Sequence, residues 1–377
     1  MIINETIIIK NKIGKGAYGD VFLGKDIQNN TLYAIKKISK KSLIKPDTKK
    51  YFKNEINIIK NLKYHPNIVK FINIKETISN FYIIFEYLNG GDLDNFIKKY
   101  INKYNKTIPE KIVKYIIKNV LKGLNSLNAQ NIIHRDIKLS NILINYLNNT
   151  DLINENILNA EIKIIDFGFA KYLKQDEFTN SIIGTPFYMD PKILHGYLLE
   201  KNEKKYLYNK KVDIWSIGIM TYYLLLGVFP FKAENYENLI ENIENKEFFF
   251  PLNKYEISLS KEAINFIENT LNLDDEQRLC SEELLKHKWL NNNFNYKIYQ
   301  IKNEKELNEI IPINFIDYWK PINLNININK EIKKKIKVDS IIRHIKIYNF
   351  LNKIFKNKKF DQEKNNISLE QKKIFDN

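Results

Sequence analysis

Cysteine is almost missing from this chain: Cys280 is the only one in 377 residues. An internal disulfide and a Cys-based zinc cluster are both excluded, and a reducing, cytoplasmic setting is expected. The start, MIINETIIIK, lacks a basic leading region, a long enough apolar run and a small-residue cleavage site, so no secretory signal is expected. Long hydrophobic runs are also scarce. Only Ile214 to Phe231, IWSIGIMTYYLLLGVFPF, approaches bilayer length, and its two glycines, Pro230 and the adjoining Asp213 mark it as a buried helix of a large core. Acidic residues are in deficit, 44 against 60 basic ones, giving a formal charge of +16. Lysine, asparagine and isoleucine are abundant throughout, so the excess reads as solvated lysine rather than a polyanion site, and no nucleic-acid partner is expected.

What is present argues for a folded chain. Hydrophobic residues make up 44% and aromatics 13%, more than a disordered chain carries. Residues 6 to 38 alternate apolar and polar positions around glycines (TIIIKNKIG, YGDVFLGKD, TLYAIKKIS), as a twisted antiparallel sheet does. Helical spacing follows over Lys49–Leu62 at Phe52, Ile56, Ile59 and Leu62, then strand-like runs at Ile68–Ile74 and Phe81–Leu88. Beyond Gly90-Gly91 the pattern is helical over Asp92–Leu127 and again over Asp213–Trp289. The expected fold class is α+β and bilobal: a small antiparallel β-rich lobe with one main helix over about 7–88, and a larger, mainly α lobe over about 89–290. Asparagine-rich 145–160 reads as an inserted surface loop, and 291–377 as a Lys/Asn/Ile-rich extension.

Three motif groups carry chemistry. The glycines of Gly14-Lys15-Gly16-Ala17-Tyr18-Gly19 can open a dinucleotide-binding helix, but here they lie between two strands, which suits a hairpin folded over phosphates. In Tyr33-Ala34-Ile35-Lys36 a lysine sits inside a strand and needs an anion; Glu55, nineteen residues on and in the next helix, can meet it and hold it toward nucleotide phosphates. In HRDIKLSN, Asp136 can accept the proton of an attacking hydroxyl, Lys138 can neutralise a transferring phosphoryl group, and Asn141 offers an oxygen to a hard cation. Asp166 of DFG supplies a carboxylate to the same Mg²⁺. His134, after Ile132-Ile133, reads as structural.

Together these motifs resemble the eukaryotic protein kinases over residues 7–290, and Lys138 with Gly184-Thr185 resembles the serine/threonine branch. The resemblance implies ATP and Mg²⁺ as cofactors and serine or threonine hydroxyls of proteins as acceptors. It implies that the hairpin from Ile13 through Asp20 to Val21 covers ATP, that Glu86 and Leu88 hold adenine through backbone groups beside the gatekeeper Phe85, and that Val21, Ala34 and Leu143 sandwich the base. Ile59, Phe71, His134 and Phe167 resemble a stacked apolar column, and Asp213 the aspartate that ties down the catalytic loop. Ser181 matches a regulatory phosphosite in an activation segment containing Thr185, where a phosphate would bridge Arg135 and Lys171. DFGFAK, FEYLNGGDLDNFI, the insertion and GVFPFKAENYENLIENIE look most similar to the autophagy-initiating kinases, with calmodulin-dependent kinases second.

Departures from the family pattern are as informative. Ser140 and Tyr223 stand where basic-directed members carry glutamates, although Asp92 remains, so apolar or mixed flanking residues are the expected substrate preference. A-P-E appears as Asp190-Pro191-Lys192, opposing a lysine to Arg278; the expectation is that Asp190 or another carboxylate pairs with Arg278 while Lys192 turns to solvent. In the extension, Ile341, Ile345, Tyr348, Leu351 and Phe355 can line one helical face with basic neighbours. Such a face suits a membrane surface, calmodulin or another regulatory partner, the plainer reading being that it packs on the kinase domain. A pseudokinase scaffold, resting on Lys192 alone, and a small-molecule kinase are the competing readings.

Overall fold

The structure is a computed structural model that describes residues 2–3, 6–16, 19–44, 46–104, 106–172, 186–198, 209–231, 233, 236–245 and 259–291. The helix expected around Ile341–Phe355 lies outside them.

Six strands form one antiparallel sheet: β1 (Ile2–Ile3), β2 (Ile7–Gly16), β3 (Gly19–Asp26), β4 (Leu32–Ser39), β5 (Phe71–Glu76) and β6 (Asn80–Glu86), in the order β1-β2-β3-β4-β6-β5. Period-two alternation divides its faces. Ile35 packs with Ile7, Tyr82 and Ile84 in a small cluster, so the next residue, Lys36, emerges on the opposite face beside Ile83 of the main core. α1 (Pro46–Asn61) begins three residues before the expected start because proline suits a first helical turn. The strand expected at Ile68 starts instead at Phe71. Ile68 bridges Ile164 in parallel and the Val69 N–H donates to the Ile164 carbonyl at 3.0 Å, so this stretch is committed to the other lobe.

The larger lobe holds α2 (Leu93–Tyr104), α3 (Glu110–Ala129), the strands β7 (Ile132–Ile133), β8 (Ile142–Tyr146), β9 (Ala160–Ile164) and β10 (Lys171–Tyr172), and the helices α4 (Asn149–Asn154) to α10 (Lys288–Asn291). Between these last two lie α5 (Pro191–Leu198), α6 (Val212–Leu226), α7 (Tyr236–Glu244), α8 (Lys261–Thr270) and α9 (Ser281–Leu285). Every residue of α6 is buried, as the apolar run demands, and the helix stops where Gly227 adopts φ 72°. Among the described residues no helix is long and apolar enough to cross a membrane. Glu110, nearly buried at the start of α3, accepts hydrogen bonds from Ser260 Oγ (2.6 Å), Ser260 N–H (3.0 Å) and Trp289 Nε1 (2.8 Å), which fastens the lobe's far end.

Segment 145–160 departs from its reading as a surface loop. It starts in β8, ends in β9 and contains α4, with Tyr146, Ile157 and Ala160 buried. Its asparagines serve the fold: Asn148 caps α4 by accepting the Asp151 N–H (2.8 Å), and the Asp151 carboxylate accepts the side-chain amides of Asn148, Asn156 and Asn159 at 2.6, 3.0 and 3.1 Å. Polar composition concealed a locally satisfied turn of helix.

Candidate active site

The glycine hairpin pairs Gly14 with Val21, Lys15 with Asp20 and Gly16 with Gly19, while Ala17 and Tyr18 fall outside the described residues. Glycine is required at 19, since a Cβ there would run into the Lys37 carbonyl. Ile13 is exposed, and Asp20 pairs with Lys12 at 2.6 Å. Val21 lies opposite Lys36, and Ala34 opposite Phe85. Phe85 meets Phe71 edge-on at 6.2 Å. The strand ends at Glu86, whose N–H is spent on the Lys70 carbonyl (3.1 Å), while the Leu88 N–H makes no hydrogen bond among the described residues. That donor is open to an adenine edge. Leu143, half-buried on β8, bridges Asp92.

Lys36 is buried, and its Nζ donates to Glu55 Oε1 at 2.6 Å and to Asp166 Oδ1 at 3.4 Å. Burial works against its charge, but the Asp166 and Glu55 carboxylates outweigh that and raise its pKa, so it is a cation at any physiological pH. Glu55 lies in the apolar stripe of α1 with Phe52 and Ile59. Burial pushes its carboxyl up against the pull of Lys36, and its Oε2 has no partner among the described residues. Asp166 is held low by Lys36 and the Gly168 N–H in spite of burial.

The catalytic-loop candidates follow β7. Arg135 and Asp166 both sit in the left-handed region, at φ 65° and 63°, a conformation costing a non-glycine residue about 1–2 kcal/mol. Asp213, fully buried, compensates by accepting the backbone N–H groups of His134 and Arg135, each at 2.8 Å. Arg135 Nε donates to the Phe169 carbonyl at 2.7 Å, and Lys171 on β10 pairs with Ile133, so the two residues flank the same short sheet. His134 is buried, with its Nε2 3.0 Å from the Ile165 carbonyl and its ring 5.3 Å from that of Phe167. Of the expected column, Ile59, His134 and Phe167 are buried and Phe71 is half-buried.

Asp136 Oδ2 accepts from Lys138 Nζ (2.7 Å) and Asn141 Nδ2 (2.8 Å), which fixes the plane of its carboxylate. Asn141 and Asp166 are brought together by the β8–β9 ladder, closed by the Ile165 N–H to Asn141 carbonyl bond of 2.9 Å. With Nδ2 engaged, Asn141 Oδ1 has no donor among the described residues, and Asp166 Oδ2 is likewise open. Two uncommitted oxygens, one anionic, fit a hard cation such as Mg²⁺.

Ser181 and Thr185 fall outside the described residues. Beyond them, Asp190 Oδ2 accepts from Arg278 Nη1 at 2.5 Å, the pairing expected from sequence. The expectation that Lys192 turns to solvent needs correcting: it ion-pairs with Asp275 at 2.6 Å, because Asp275, three residues before Arg278, comes within reach of the first turn of α5. Tyr223 is buried against Phe229 (4.8 Å), which also meets Phe187 and Tyr188 (5.2 and 5.5 Å), and Ser140 is exposed. Asp92 is not a free recognition acid, since both its oxygens cap α2 through Asn95.

Sequence reasoning passed over Lys163. It is buried on β9 and bonds both carboxylate oxygens of Glu86 at 3.0 and 3.1 Å, with Glu161 3.3 Å away. The signal was available, a lysine between isoleucines in AEIKIIDFG, of the same kind that singled out Lys36.

Comparison with known proteins agrees with this geometry. Residues 7–290 match the family model of the protein kinase domain. The chain is 34% identical over 295 residues to myosin light chain kinase A of Dictyostelium discoideum, covering 78% of this chain and 91% of that one. It is 32% identical over 331 residues to calcium-dependent protein kinase 5 of Plasmodium falciparum, and 32% identical over 279 residues to calcium-dependent protein kinase 4 of Plasmodium berghei. These matches cover 85% and 74% of this chain, which spans about half the length of those relatives (53% and 48%). The chain therefore belongs to the protein kinase family, as a serine/threonine protein kinase that uses ATP and Mg²⁺.

Proposed function

We propose that this chain is an active signalling kinase of the calcium-linked group, transferring the γ-phosphoryl of ATP to serine and threonine hydroxyls flanked by apolar or mixed residues. The observation that carries activity is the buried run Glu55–Lys36–Asp166, which joins the nucleotide-facing sheet to the metal-facing segment through one cation. In this reading Lys36 steadies the nucleotide phosphates and Glu55 holds Lys36. Asp136, its plane set by Lys138 and Asn141, orients the acceptor hydroxyl and takes its proton as that oxygen bonds to the γ-phosphorus and the bond from the γ-phosphorus to the bridging oxygen breaks, ADP leaving; Lys138 offsets the charge on the transferred group. Asn141 and Asp166 would hold Mg²⁺, which when bound screens the charge of the phosphates. Lys192, the one feature favouring a pseudokinase, is neutralised by Asp275 rather than opposed to Arg278.

The calcium-linked reading is supported by the named relatives, a myosin light chain kinase and calcium-dependent kinases, and by the basic amphipathic pattern at Ile341–Phe355, which suits calmodulin. The autophagy-initiating reading rests on the resemblance of DFGFAK, FEYLNGGDLDNFI, the 145–160 insertion and GVFPFKAENYENLIENIE and takes second place, since the relatives matched are calcium-dependent and myosin light chain kinases. A cytoplasmic location, and control through Ser181 acting on Arg135 and Lys171, belong to the same proposal. The test is phosphorylation of a serine peptide by the full chain with and without calcium and calmodulin. Activation of at least several-fold supports the calcium-linked reading, and indifference to both removes it while leaving the kinase activity standing.

A further inference from the structure

The segment Pro186–Leu198 borders the catalytic loop: Tyr188, Met189 and Asp190 share the wall of one small cavity with Arg135, Asp136 and Ile137. Whatever holds this segment therefore sets where an acceptor can approach Asp136. In the family resemblance that hold comes from a glutamate at position 192 paired with the buried arginine, but this chain has a lysine there.

Four side chains replace that arrangement. Asp190 uses both carboxylate oxygens. Oδ1 accepts the Lys192 N–H at 2.8 Å, at the start of α5, and Oδ2 accepts Arg278 Nη1 at 2.5 Å. Arg278 is almost fully buried, with its Nε on the Asn272 carbonyl (2.9 Å), Nη1 also on the Lys211 carbonyl (3.0 Å), and its guanidinium 5.2 Å from the Trp215 ring centroid. Two residues after Asp190, Lys192 Nζ meets Asp275 at 2.6 Å, at the rim of the same contact. The buried pair has three further partners for its cation, which is what a desolvated charge requires. The rim pair is half-open to water and contributes less.

We propose that Asp190 is the positioning residue for the acceptor-facing segment, and that Lys192 with Asp275 forms a second, polarity-reversed point of the same latch. A glutamate at 192, far from restoring a family contact, would face Asp275 while Arg278 is already taken by Asp190. The latch fixes the acceptor side only, because neither pair touches the sheet or the Lys36 site. It rests on the kinase reading for its consequence but not for its existence.

The test compares full-length wild type with Lys192→Glu, Asp275→Lys, the double variant Lys192→Glu/Asp275→Lys, and Asp190→Asn. Peptide KM and ATP KM are measured separately, with thermal unfolding on the same samples. Lys192→Glu is expected to raise peptide KM by roughly fivefold and leave ATP KM within about twofold, the double variant recovering to within about twofold of wild type. Asp190→Asn is expected to raise peptide KM by about tenfold or more. Better activity in Lys192→Glu than in wild type would overturn the proposal, as would failure of the double variant to recover. A fall in kcat with both KM values unchanged, the mark of fewer folded molecules, would also overturn it. Unfolding keeps the two readings apart. If wild type transfers no phosphate, the kinase reading fails, while the latch still stands or falls on whether the double variant regains the midpoint lost by each single one.

Discussion

The Lys36 ammonium stands 2.6 Å from Glu55 Oε1 and 3.4 Å from Asp166 Oδ1, so one buried cation joins α1 to the segment following β9. Replacing it by methionine strands Glu55 in the core, where loss of one partner of a buried pair costs ~3–5 kcal/mol. Without the cation the Glu55 carboxyl, already raised by burial, rises further, so the folded form binds a proton that the unfolded form releases near its ordinary value of about 4.3. Stability from a raised carboxyl is complete below that value and declines as pH climbs toward the folded one, by ~1.4 kcal/mol for each tenfold change in proton affinity. Lys36→Met should therefore lose phosphoryl transfer and show a stability deficit larger at pH 8 than at pH 5. Equal deficits in thermal unfolding at the two values would contradict the burial argument.

Asp213 supports a strained backbone at the catalytic loop through two hydrogen bonds to a charged acceptor, each worth ~1.5–3 kcal/mol. Asp213→Ala should lower kcat by about tenfold or more and depress the unfolding midpoint. Asp213→Asn, which keeps one acceptor oxygen, should fall between. Steady-state kinetics and thermal melts of the two variants check the order.

Lys163 fastens Glu86, the last residue of β6, to the strand that leads to Asp166. Lys163→Met should raise ATP KM several-fold, with a smaller effect on kcat, since the adenine-facing stretch loosens while Asp136 is untouched. An unchanged ATP KM in the purified variant would show that the hinge needs no such fastening.

Ser140 is exposed beside Asn141, and Tyr223 is buried in an aromatic cluster with Phe187, Tyr188 and Phe229, so neither position supplies a carboxylate for an arginine of the substrate. A degenerate peptide array should show no dominant upstream arginine for wild type and a gain of it for Ser140→Glu. Strong arginine selection by wild type would refute the apolar preference.

The chemistry was legible because it is concentrated in short motifs with unusual residues in apolar settings. Lys36 in a strand announced itself and Asp213 was marked by the family resemblance, while the repulsion expected between Lys192 and Arg278 called for Asp190 or another carboxylate beside Arg278, a place that Asp190 takes. Contacts between distant segments were harder to read. Ile68 and Val69 have strand-forming side chains, yet their backbone belongs to β9 rather than to the sheet. In 145–160 the asparagines suggested solvent, although their amides converge on Asp151. Asp92 read as a spare acid because its capping of α2 depends on local hydrogen bonds that composition does not reveal.

The central claim is that Asp136 takes the acceptor's proton in a competent, preassembled site. Transfer of labelled phosphate from ATP to a generic protein, measured for wild type beside Asp136→Asn, tests it most directly. Wild type should transfer label to serine and threonine, and Asp136→Asn should be slower by ~10²–10⁴-fold with ATP affinity nearly unchanged. A wild type without transfer, or an Asp136→Asn variant as fast as wild type, would contradict the account.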